Sequence, residues 1–191
     1  MKSSRGSTNS PQPKWVDMPN DGSLQGFAEA TNLNLDSLRT HKTSTVLLPL
    51  NTVLAKESEA NLFSPLTKEV LFALREGGHD SILYEDARER RELVLRSADI
   101  LVPIILFVEQ SVIAVELGIL ANLLYDRYVR DKEDPPPQRV QPSVRVEYAQ
   151  IDMKNETVLK WRRIEGPARE VARLVRDESN ALAKQTDMKS R

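Results

Sequence analysis

The stretch ILVPIILFVEQSVIAVELGILANLLYDRY, residues 100–128, decides the fold. Its apolar character admits a membrane-spanning helix over Leu101 to Tyr125. Pro103 near one end and Glu109, Gln110 and Glu116 inside argue against that, since each carboxylate costs roughly 2 to 3 kcal/mol or more at a bilayer centre. The competing division makes Ile100 to Val108 a central parallel strand covered on both sides. Ser111 to Tyr128 then becomes a helix apolar nearly all round, and therefore largely buried.

The segments upstream repeat the alternation. Asp80 to Asp86, with Ile82 and Tyr84, predicts a short strand. Ala87 to Ser97, dense in Arg and Glu with Leu93 and Val94 as inward contacts, predicts an outer helix with a solvated face. Earlier still, Thr43 to Asn51 reads as a buried strand ending at Pro49 to Asn51. Ser64 and Pro65 read as the N-cap and first residue of a helix carrying Leu66, Val70, Leu71 and Leu74, stopped by Gly77 and Gly78. Residues 1–43 are rich in Ser, Asn, Pro, Gly and Asp, which predicts a disordered N-terminal arm. Trp15 and the Leu33, Leu35, Leu38 pattern could anchor that arm to the core or to a partner.

Downstream, residues 131–142 with Pro135 to Pro137 read as a stiff exposed linker. Val144, Val146 and Tyr148, then Val158, Trp161 and Ile164, flank Lys154 to Glu156 as a hairpin. Gly166 and Pro167 open a last amphipathic helix with Ala168, Val171, Leu174 and Val175 on one face, and residues 183–191 read as a frayed tail. The expectation is one α/β domain over residues 44–182, with parallel strands, right-handed crossovers and helices on both faces of the sheet. In such sheets ligands sit outside the carboxyl ends of the strands. That rule selects Asn51 and its neighbours, Glu85 with Asp86, and Glu109, Gln110 and Ser111.

Composition narrows the function. A chain of 191 residues with 40% apolar content can build one core. Lys and Arg total 27 against 28 Asp and Glu, so no global field draws it to nucleic acid or an anionic membrane. The absence of cysteine removes disulfides, thiolate metal sites and cysteine nucleophiles, and the two histidines, His41 and His79, lie far apart. No metal and no cofactor is expected: neither a P-loop nor a dinucleotide-type glycine loop is present. The N-terminus lacks the apolar core of a secretory signal, so a cytoplasmic location is the expectation.

Glu116 stands out because its helical neighbours Val112, Ile113, Ile119 and Leu120 are all apolar. A carboxylate so placed is either partly buried or aimed into a cleft, and perturbed carboxylates cluster at functional sites. The alternative is a satisfied structural acid, paired with Arg88 or Arg96 or bonded to a backbone amide. Gly118, two residues on, admits close approach by a ligand or by neighbouring backbone. His79, at a helix end, reads as a C-terminal capping residue, and Ser111 as an N-cap.

The run Ser111-Val-Ile-Ala-Val-Glu116-Leu-Gly118-Ile-Leu-Ala121, with Ala98-Asp99 upstream, resembles the serine turn and Glu-x-Gly-x-x-Ala helix of the nucleoside 2-deoxyribosyltransferase-like family. The serine followed by a helical Glu-Leu also resembles TIR-type domains, some of which cleave NAD and many of which are assembly modules. Either resemblance implies a doubly wound, flavodoxin-like three-layer sandwich, here with a C-terminal hairpin and helix. The resemblance implies Glu116 as catalytic nucleophile or stabiliser at an N-glycosidic bond, with Asn51, Glu85, Asp86, Asp99, Glu109, Gln110 and Ser111 around a nucleoside, nucleotide or NAD. Gln110, Val112 and Ile113 depart from the first family, which carries an acid, Gly and Thr there. The alternative implied function is a non-catalytic nucleotide-sensing or assembly module, compatible with a homo-oligomer. Neither reading calls for nucleic acid or membrane as a partner.

Overall fold

The computed structural model describes residues 12–40, 45–54, 59–93, 100–106, 110–130 and 142–189. In chain order the elements are β1 (Val16–Asp17), α1 (Leu24–Thr31), α2 (Leu35–Thr40), β2 (Thr45–Leu47), α3 (Asn51–Leu54), β3 (Ala60–Phe63), α4 (Pro65–Glu76), β4 (Ser81–Leu83), β5 (Glu89–Glu92), β6 (Ile100–Leu106), α5 (Gln110–Tyr128), β7 (Ser143–Asp152), β8 (Thr157–Pro167) and α6 (Ala168–Lys189). The architecture is mixed α/β. Among the described residues no helix is long and apolar enough to cross a membrane.

A six-stranded sheet runs β1-β8-β7-β6-β2-β4, and β3 pairs with β5 in a separate two-stranded sheet. Period-two alternation sends successive side chains to opposite faces. Leu47, Val146 and Tyr148 join the larger apolar cluster with α4, α5 and α6, whereas Val46, Ala149 and Ile151 join a second cluster with Leu24, Phe27 and Leu38. Both faces of β7 are consequently covered, and Val146 through Ile151 are all buried.

The large sheet is mixed, which corrects the expectation of parallel pairing among the strands that precede the hairpin. β6 runs parallel to β7 but antiparallel to β2, with Thr45 opposite Leu106 and Leu47 opposite Ile104. β2 and β4 are parallel to each other, and β7 and β8 form the expected antiparallel hairpin, which joins this same sheet. The carboxyl end of β6 therefore lies at the opposite edge from those of β2 and β4. This reversal governs the location of the candidate site.

Three further expectations are corrected. Residues 12–40 are not a disordered arm. Leu24, Phe27, Ala28 and Thr31 recur at helical spacing and are buried. Ser23 accepts from the Gly26 amide, and Asn32, at φ 54°, closes the helix in the left-handed conformation. The Ser, Asn and Gly that suggested disorder are thus caps and turns. β1 pairs with β8, and Trp15 packs edge-on against Tyr148 at 5.3 Å. The charged segment after Asp86 contains a strand, not an outer helix: β5 pairs in parallel with β3, and residues 89–92 are all exposed. An edge strand loaded with charge resists pairing with another chain. Finally, Gly166 and Pro167 end β8, and α6 continues through the predicted frayed tail to Lys189, with Leu182 buried. The proline-rich residues 131–141 lie outside the described residues.

Candidate functional site

Glu116 occupies the second turn of α5. Ile113, Leu117 and Leu120 share its buried stripe, while Val115 on the other side is 53% exposed. The carboxyl itself is only 3% exposed and meets the sheet where β6 ends and β2 begins. The Thr45 hydroxyl, at the first residue of β2, donates to its Oε1. His79 Nδ1 stands 3.5 Å from the same oxygen. Oε2 is buried and has no hydrogen-bond partner among the described residues.

Burial pushes this carboxyl up from 4.5 to about 7, and the Thr45 bond only partly offsets the effect. Near neutrality the group therefore exchanges a proton readily.

His79 reaches this position through the end of α4. The His79 amide donates to the Leu74 carbonyl at 3.0 Å and the Gly78 amide to the Arg75 carbonyl at 3.0 Å, with Gly78 at φ 83°. This is the Schellman pattern, and it requires a residue at ease in the left-handed region. The backbone of His79 thus caps the helix as expected, while its imidazole turns to Glu116, a placement that sequence reasoning missed. The arrangement also excludes Arg88 as the partner of Glu116, since Arg88 binds Asp86 at 2.6 Å. Arg96 lies outside the described residues.

The other proposed residues do not converge on Glu116. Asn51 and Asp86 sit beyond the carboxyl ends of β2 and β4, and β2 alone interposes roughly 10 Å of strand. Asn51 Oδ1 accepts from the Leu62 amide at 3.1 Å and so ties the loop to β3. The Asp86 carboxylate accepts from Asn61 Nδ2 and from the Arg88 amide, both at 2.8 Å. Burial opposes its ionisation, but the bonds from Arg88 and Asn61 prevail and hold it below the ordinary carboxylate value. Glu85 is exposed and pairs with Arg90 at 2.5 Å.

Asp99 and Glu109 lie outside the described residues, as do the side chains of Gln110 and Ser111. α5 begins at Gln110, so Ser111 falls inside its first turn rather than at the N-cap. Gly118 faces α6: a Cβ there would come within 3.2 Å of Ser179 Oγ, and Ser179 donates to the Ala114 carbonyl at 2.6 Å. Helix packing accounts for that glycine.

Two other carboxylates, one buried and one partly buried, escaped the sequence reading. Glu147 accepts from Trp161 Nε1 at 2.8 Å, and burial raises its carboxyl despite that bond. Glu178 accepts from Tyr148 at 2.7 Å, Arg162 at 2.9 Å and Lys160 at 3.3 Å. Burial opposes the ionisation of Glu178 and is outweighed by those donors, so its carboxyl is lowered. The spacing of these partners on β7, β8 and α6 carries no local signal, because strand register alone brings them together.

The arrangement around Glu116 can hold and release one proton near neutral pH, with a threonine and a histidine as the groups that sense it. No protein-family model, no curated protein and no solved structure matches the chain.

Proposed function

We propose that the chain is a non-catalytic nucleotide-sensing or assembly module, with Glu116 as a structural acid. One observation carries this reading: the Glu116 carboxyl is 3% exposed and lies at the opposite sheet edge from Asn51 and Asp86. A nucleophile must reach the anomeric carbon of a bound sugar, and the flanking polar groups must share its pocket. Asn51 and Asp86 instead spend their hydrogen bonds on the β3–β5 sheet. The flavodoxin-like, TIR-like ancestry belongs to this same proposal. It is supported by helices on both faces of the sheet and by a helix bearing the glutamate directly after β6. The antiparallel pairing of β6 with β2 is a departure from it.

A second reading, cleavage of the N-glycosidic bond of a nucleoside, nucleotide or NAD, is favoured by a specific feature. Glu116 Oε2 lacks a partner among the described residues, and its carboxyl titrates near 7. One experiment separates the two. The purified chain is incubated with nucleosides, nucleotides and NAD, with calorimetry reading binding and chromatography reading free base. Binding without release is expected. Base release that disappears in Glu116→Gln would replace the module by the glycosidic enzyme.

A further inference from the structure

Tyr125 and Arg176, with Arg169 and Arg173, line a groove of about 450 Å³ between the second half of α5 and the first half of α6, to which Gln12 and Glu170 also contribute. The three arginines stand at i, i+4 and i+7 on α6, one continuous stripe. Such a stripe is unfavourable in isolation, because like charges four residues apart repel and cations near a helix N-terminus oppose its dipole. The folded chain does little to offset this. Among the described residues neither Arg169 nor Arg173 forms an ion pair, although Glu170 belongs to the same lining and Asp177 follows Arg173 by four positions.

Arg176 is held differently. Its Nη2 donates to Asn122 Oδ1 at 2.8 Å, and its guanidinium carbon stands 5.6 Å from the centre of the Tyr125 ring. Among the described residues the groove therefore offers two guanidinium forks without an ion-pair partner, beside a guanidinium–aromatic platform. Guanidinium forks match phosphate oxygens, and the planar faces of Tyr and Arg accept a stacked base. A volume of 450 Å³ falls within the range of small-molecule sites.

We infer that this groove binds a mononucleotide, its phosphates on Arg169 and Arg173 and its base against Tyr125 and Arg176. The inference rests on the nucleotide-sensing reading and gives that reading a location, one distinct from the Glu116 site. Both phosphate-binding residues are exposed, so their removal leaves the apolar core untouched.

The test is calorimetric titration of the full chain with adenosine mono-, di- and triphosphate, with adenosine, and with inorganic pyrophosphate. The parent, Arg169→Gln/Arg173→Gln and Tyr125→Leu are compared, and unfolding midpoints establish that the variants are folded. The expected result is nucleotide binding that weakens by about tenfold or more in the double arginine variant and falls with added salt. Tyr125→Leu should weaken nucleotides while leaving pyrophosphate unchanged. Nucleotide binding equal in the parent and the folded arginine variant would overturn the groove and leave the sensing reading standing. Pyrophosphate binding without any preference for nucleotides would overturn the ligand class. Failure of every phosphate to bind the parent would overturn groove and sensing reading together.

Discussion

Glu116 links burial to proton binding, and the link has a definite sign. Below pH 4.5 its carboxyl is protonated in both the folded and the unfolded chain, so folding is indifferent to it. Between pH 4.5 and about 7 the unfolded chain ionises while the folded chain keeps its proton. The folded state therefore loses stability as pH rises through that window. A shift from 4.5 to about 7 corresponds to about 3 kcal/mol once the window has been crossed. Glu147, also raised by burial, adds a slope of the same sign, so the difference between parent and variant isolates Glu116. Glu116→Gln is expected to fold and to be about as stable as the parent at pH 4, then to gain on it by up to about 3 kcal/mol at pH 8. Urea unfolding at a series of pH values measures this. A variant that tracks the parent at every pH would mean that Glu116 is ionised in the folded state, with a partner supplied from elsewhere.

At the scale of elements, legibility followed the amount of local signal. α4 was readable in full because Ser64, Pro65, the Leu66 to Leu74 repeat and Gly77-Gly78 each act within a turn of their own position. The glycines do different work. Gly78 takes the left-handed conformation, whereas a Cβ on Gly77 would come within 2.7 Å of Ile119 Cδ1. Gly78→Ala keeps that clearance and strains only the backbone, so it should cost about 1 to 2 kcal/mol. A loss below about 0.5 kcal/mol in thermal or urea unfolding would count against the Schellman assignment. β5 was not readable, because its pairing with β3 is a long-range backbone matter and its four charged side chains fit a solvated helix equally well. The site fell between these cases. The apolar neighbours of Glu116 in sequence foretold its burial, but its partners Thr45 and His79 come from two other segments. The direction of β6 relative to β2, which no periodicity encodes, sends Asn51 and Asp86 to the other edge.

For the whole molecule the decisive difference is the role of residues 12–40. A compositional reading makes them a disordered arm, held at most through Trp15 and the Leu33, Leu35, Leu38 pattern. The structure makes them a cover for the second face of the sheet, where Leu24, Phe27 and Leu38 pack with Val46, Tyr84 and Trp161. Without that cover Trp161 and Ile151 would meet water, and the sheet would have only one protected face. Tyr84 shows the same dependence in polar form, its hydroxyl accepting from the Asn34 amide at 2.8 Å across fifty residues of sequence. Phe27 is the sharpest probe, being 1% exposed with its ring set edge-on to Trp161 at 4.9 Å between centroids. Phe27→Ala removes a large buried side chain that lines neither the groove nor the Glu116 site, and is expected to destabilise the fold by about 3 to 5 kcal/mol. Urea unfolding read by tryptophan fluorescence and by circular dichroism should report that loss identically, since a segment integral to the core unfolds with it. A variant within about 0.5 kcal/mol of the parent would return residues 12–40 to the status of a detachable arm. A fluorescence transition that precedes the loss of ellipticity would instead make the cover a separate cooperative unit, able to open while the α4–α6 face stays folded.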